Sequence, residues 1–228
     1  MIWSIHYLPI DLSHRVKSRV KIIVFGLISG LICSAGVSSL IVMVEKVTPV
    51  PIGAFYFVIM STITQSHSYS PYIIIAGLLL HFVAGSLIGV IMTIPFVILI
   101  NNRTDLSRAL NKYAPLYGLC FGFALWLILF IPITYLMVLP TLNNIKEAPV
   151  ITEQDPVGRV ASLVIGKLLA MQNRIIIGAL AFNMFYGLVT AIIINSLCTK
   201  YLYKKKLMKI LLNSEVSVSN KCFNAIYA

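Results

Sequence analysis

The chain has 228 residues, of which 59% are hydrophobic and 11% charged. With a mean hydropathy of +0.92, it is too apolar for a water-soluble domain of ordinary make-up. Its 18 Lys and Arg against 7 Asp and Glu give a formal charge of +11, but the cations flank apolar runs and no aromatic-interleaved basic strand or helix-turn-helix pattern goes with them, which argues for orientation in a membrane and against nucleic-acid binding.

The first stretch, 1–21, mixes Trp3, Tyr7 and Leu8 with Arg15, Lys17, Arg19 and Lys21. Such a segment can lie along lipid headgroups with its cations toward anionic lipid, so an amphipathic anchor on the inner face is expected. Its basic cluster comes late and no small-residue cleavage site follows the apolar core, so the first helix is expected to be retained. Residues 22–44 form the first spanning helix, with Gly26 and Gly30 on a face of small residues. Glu45, just beyond, is expected in a rim ion pair with Lys46 or Lys167. After Pro49 and Pro51 the apolar segment 52–64 falls well short of the roughly 20 residues needed to cross a bilayer. It predicts a re-entrant or interfacial half-helix.

Residues 71–100 carry no charged side chain and make the second span, with His81, Gly85 and Gly89 on one ridge of its outer half. The connection 101–112 holds Arg103, Arg108 and Lys112 and is expected inside. The third span, 116–139, has Gly118 and Gly122 near its inner end and Pro132, which should bend it. Residues 141–156 carry Lys146, Glu147, Glu153 and Asp155 among prolines and read as an exposed loop. In 157–171, Arg159 and Lys167 interrupt an apolar pattern, which predicts a second interfacial helix. The fourth span, 175–197, contains Asn183, Gly187 and Ala191. A basic cytoplasmic tail, 200–228, closes the chain, and from Asn213 onward it is expected to be mobile.

Four Lys and Arg precede the first span, three lie between the second and third, six follow the fourth, and five lie on the other side. The distribution predicts a multi-pass protein of the cell membrane with both termini cytoplasmic. The spans also suggest a duplicated two-helix unit, 22–112 and 113–199, each with a short apolar segment between its helices. Two copies of equal orientation would be related by an axis along the membrane normal. In the register that lays Gly85 and Gly89 on Gly187 and Ala191, His81 falls on Asn183, and a hydrogen bond between the two is expected. Small residues four apart let backbones approach closely where water supplies no hydrophobic drive, so the eight positions Gly26, Gly30, Gly85, Gly89, Gly118, Gly122, Gly187 and Ala191 are the expected helix contacts.

The segments GLISGLICSAG (26–36) with Glu45 beyond, HFVAGSLIG (81–89), YGLCFGFALWLILFIP (117–132) running on to Pro140, and NMFYGLVTA (183–191) together resemble the small four-helix membrane proteins of the YagU-like and related domain-of-unknown-function groups. The likeness covers most of 22–197 and implies a compact all-α bundle without an assigned reaction. Asn183 stands where the repeat often offers His, which tells against a paired-His metal site.

No span contains Asp, Glu, Lys or Arg, which argues against proton-driven transport but not against a passive pore. His81 is the one titratable nitrogen inside a span, and Met92, Met184 and Cys120 are the nearest things to further ligands, so a structural histidine is expected rather than a metal centre. His6, His14 and His67 are expected to be solvated, a metal site in the His67 loop being the alternative. Cys33, Cys120, Cys198 and Cys222 are isolated and lack zinc or iron-sulfur spacing. No catalytic residue, metal or cofactor is expected. The expected function is that of a non-catalytic accessory subunit of a larger membrane complex. By analogy the host could be a respiratory oxidase or a copper-dependent ammonia/methane-type monooxygenase. The alternative is a small passive channel or carrier for a neutral or weakly charged solute.

Overall fold

A computed structural model of the chain describes residues 8–65, 69–100, 104–147 and 156–226. His6, His67, Glu153 and Asp155, to which the sequence reading gave roles, lie outside the described residues. Among those described there is no strand. Four helical stretches, Ser18–Val47, Pro71–Ile98, Lys112–Asn144 and Gln172–Tyr201, are long and apolar enough to cross a membrane, and shorter helices accompany them. The protein is therefore an all-α, multi-pass membrane bundle.

Helix α1, Leu8–Val47, runs unbroken for 40 residues because no proline interrupts its backbone ladder between Pro9 and Pro49. From Leu8 onward the expected headgroup anchor is thus helical and continuous with the first span, whose apolar stretch begins at Ser18. The chain reverses at Gly53, whose φ of 90° lies in the left-handed region that glycine enters without penalty. It then forms α2, Ala54–Thr64, which stops at Gln65 with a φ of 53°.

Prolines shape the next two spans. Helix α3, Pro71–Met92, opens on a proline whose missing N–H would be unpaired there anyway. It ends at Thr93, and α4, Ile94–Ile100, follows directly. Pro95 can neither donate to Ile91 nor fit its ring against that carbonyl, so the second span is broken at Thr93. The third span begins in α5, Thr104–Leu125. It continues through a π-helical turn at Trp126–Phe130, the short α6 at Ile131–Ile133, a second π-helical turn at Thr134–Val138, and α7 at Leu139–Glu147. Each π-turn immediately precedes the turn that contains Pro132 or Pro140. The wider i→i+5 pattern absorbs the donor that each proline lacks, where a single bend was expected at Pro132. The expected loop 141–156 is helical as far as Glu147, and 148–155 lie outside the described residues.

Helix α8, Pro156–Ala170, and the 55-residue α9, Gln172–Ile226, complete the chain. The tail expected to be mobile from Asn213 continues α9 as helix to Ile226, because the sequence after Tyr201 holds no proline or glycine to stop it.

Helix α1 packs on α3 and α5 packs on α9, while α1 against α9 joins the two pairs. One core lies along that junction, built from Ile22, Cys33, Val37, Ile41, Met92, Phe96, Tyr186, Ala191, Ile194 and Cys198. A second core sits at one end, where α2, α7 and α8 bury Ala54, Phe57, Leu142, Val164 and Ile165. The two short helices therefore share one cap over the bundle.

Candidate functional site

The helix pairs approach through glycine. A Cβ placed on Gly26 would lie 2.6 Å from the Gly89 carbonyl oxygen, and one on Gly89 would lie 2.8 Å from the Gly30 Cα. Gly30 likewise meets the Gly85 carbonyl, and Thr93 fills the space beside Gly26. In the second pair, Gly118 meets Gly187 and Ala191, while Gly122 meets Asn183 and Met184. Backbones this close gain dispersion and Cα–H contacts that larger residues would prevent.

These contacts place Gly89 and Thr93 opposite Gly26 just as Gly187 and Ala191 stand opposite Gly118. Laying the two pairs on these contacts would set Asn183 against Gly85, one helical turn from the register the sequence suggested. The expected bond between His81 and Asn183 is not formed. Asn183 Nδ2 donates to the Ala179 carbonyl of its own helix at 2.8 Å, and His81 lies among Phe55, Tyr56 and Phe82.

Beside the first glycine contact runs a seam of polar side chains from four helices. Tyr56 of α2 has its ring 6.0 Å from that of His81 on α3, and its hydroxyl neighbours Ser38 of α1. The His81 ring comes beside the Ser34 backbone, and the Ser34 side chain sits on Gly85. Tyr186 of α9 donates its hydroxyl to the Gly85 carbonyl and neighbours both Ser34 and Thr190. Ser34 Oγ, Ser38 Oγ, Tyr56 Oη, His81 Nε2 and Thr190 Oγ1 are buried with no hydrogen-bond partner among the described residues. Burial raises the Tyr56 phenol above its ordinary value, and Glu45 adds to the rise, while Ser38 opposes it.

Glu45 closes the seam at the cap end. Its carboxylate accepts Gly53 N–H at 2.8 Å and Phe55 N–H at 3.0 Å. The expected ion pair with Lys46 or Lys167 is replaced by an N-terminal cap on α2, where negative charge also meets the positive end of the helix dipole. Tyr69 fastens the same corner by donating to the Ile52 carbonyl at 2.8 Å.

Of the residues singled out from sequence, the glycines and Ala191 lie at helix contacts, and His81 lies in the seam. Asn183 and Cys120 do not join it, the latter being exposed, and Met92 is buried in the junction core. Sequence reasoning missed Ser34, Ser38, Tyr56, Tyr186 and Thr190. The i,i+4 spacing of Ser34 with Ser38 and of Tyr186 with Thr190 was the available signal. Among the described residues no three His, Cys, Asp or Glu side chains come together. No protein-family model, curated protein or solved structure matches the chain.

Proposed function

We propose that the protein is a non-catalytic accessory subunit of a larger membrane complex and docks to its host through the third span. The observation that carries this reading is the uneven cover of the four spans. Over an apolar 18-residue stretch of each, 39% of the residues are buried in the first span, 28% in the fourth, 17% in the second and 11% in the third. Leu127, Ile128, Leu129, Ile133, Tyr135, Leu136 and Met137 are all exposed, on a segment whose two π-turns give it a surface unlike that of a regular helix. The glycines of the four ridges are already occupied within the chain, so a partner would meet this irregular segment. In this reading the protein sits in the cell membrane with both termini cytoplasmic. Its two glycine-packed pairs are duplicated units, each capped by one short helix, and the matching contacts at Gly26 and Gly118 support the duplication.

Photo-crosslinking residues introduced at Ile128 and Leu136, with Ile23 and Val83 as exposed sites on other spans, test the docking in native membranes. The expected result is a discrete heavier product, identified by mass spectrometry as one membrane protein, from the first two sites only. Lipid adducts alone at all four sites would overturn it.

The buried seam favours a second reading, a passive channel or carrier for a small neutral solute. It predicts solute flux into reconstituted vesicles that His81→Ala alters. A panel of neutral solutes with unchanged permeability would remove it.

A further inference from the structure

We infer that the seam between α1, α2, α3 and α9 is an internal binding site for water, with its neighbouring hydroxyls and the His81 ring bridged by bound molecules where they do not bond one another directly. The site lies apart from the third span and does not depend on how that span docks.

The first support is the way hydroxyls are satisfied elsewhere in these helices. Ser29, Ser39, Thr62 and Ser86 each donate to the carbonyl four residues back, and Ser61 and Thr93 to the one three back. This local bond is open to any helical Ser or Thr. Ser34, Ser38 and Thr190 do not make it, so their hydroxyls are turned away from the backbone that could have served them. Ser34 and Thr190 are 0% exposed, Tyr56 3% and Ser38 8%, so bulk solvent does not serve them either. A buried polar group without a partner costs about 1–3 kcal/mol, and several of them in one seam call for a common partner.

The second support is the chemistry of the lining. Four hydroxyls can each donate and accept, and His81 Nε2 can do either. A bound water needs two to four such partners, and the seam supplies five on four different helices. No lysine, arginine or aspartate is among them. The adjacent carboxylate, Glu45, has both oxygens engaged by α2. The ligand is therefore neutral and able to donate and accept together, which is the description of water.

Radiolytic hydroxyl labelling of the full chain in lipid nanodiscs reads this directly, because bound water is converted to hydroxyl radical in place and modifies the nearest side chain. Tyr56 and Tyr186 should be oxidised about 5-fold faster than Phe57 and Phe96, which are also buried, after normalisation to the unfolded chain, since only the first two would border ordered water. Ser34→Ala with Ser38→Ala should bring Tyr56 down toward the phenylalanine rate. Should that double variant fail to fold, Thr190→Val, which keeps the shape and removes the hydroxyl, serves the same purpose at Tyr186. Equal labelling of the four aromatic residues in the wild-type protein, or rates unmoved in folded variants, would overturn the proposal.

Discussion

Glu45 is a charged residue 6% exposed at the end of an apolar helix, and its partners are two backbone N–H groups. Charge-assisted bonds of this kind contribute about 1.5–3 kcal/mol, and their loss would leave one buried and one half-buried donor unpaired. Glu45→Ala should therefore lower stability by about 3 kcal/mol and release α2, seen as faster amide exchange over Ala54–Thr64, whereas Glu45→Gln should retain part of the cap. Tyr69 gives a pH dependence at the same corner. Burial first, and the Glu45 charge second, raise its phenol above the ordinary value. The neutral hydroxyl that bonds Ile52 is thus favoured in the folded state, and its contribution is complete below about pH 10 and lost as pH climbs through the raised value. Tyr69→Phe should remove that alkaline component, measured by tyrosinate absorbance alongside loss of the α2 fold. The Glu45 cap was hidden in the sequence because the acceptor and its donors are separated by a proline-broken turn. A lone glutamate beside a lysine looks like a rim charge.

At the scale of the elements, the glycine spacing was legible because four-residue periodicity survives any tertiary arrangement. Which positions of the two pairs make like contacts was not, since Gly85, Gly89 and Thr93 offer two overlapping ways to match Gly187 and Ala191. Contact with Gly26 and Gly118 chooses between them. The same contacts separate crowded glycines from idle ones. Gly89→Leu would drive a side chain into the Gly30 backbone and should cost about 3 kcal/mol or abolish the fold. Gly36→Leu, on α1 with nothing among the described residues within 4 Å of its Cβ, should leave the thermal midpoint within a few degrees. Equal effects from the two would contradict close packing at Gly89. The proline positions were equally plain in the sequence, yet the π-turns before Pro132 and Pro140 were not, because whether a missing donor produces a bend or a wider turn depends on neighbours that sequence does not supply.

Across the whole molecule, two tyrosines tie one helix pair to the other. Tyr117 donates to the Met92 carbonyl at 3.2 Å, and Tyr186 donates to the Gly85 carbonyl. Each bond contributes about 1 kcal/mol. The double change Tyr117→Phe and Tyr186→Phe should cost close to the two single losses added, by unfolding in graded denaturing detergent, since the bonds share no partner. A double loss far larger than that would mean the halves separate as units. The four spans were legible from hydropathy alone, because length and lack of charge suffice for a segment surrounded by lipid. The shared cap of α2 and α8 was not, since nothing in either short segment names the other.

The backbone-to-backbone approach at Gly26, Gly30, Gly118 and Gly187 carries a thermodynamic signature. Surface hidden there was facing hydrocarbon before the helices met, so little water is released when they join, and the large heat-capacity change that accompanies folding in water has no counterpart. The free energy of holding the spans together should then vary almost linearly with temperature, and the bundle should not loosen on cooling.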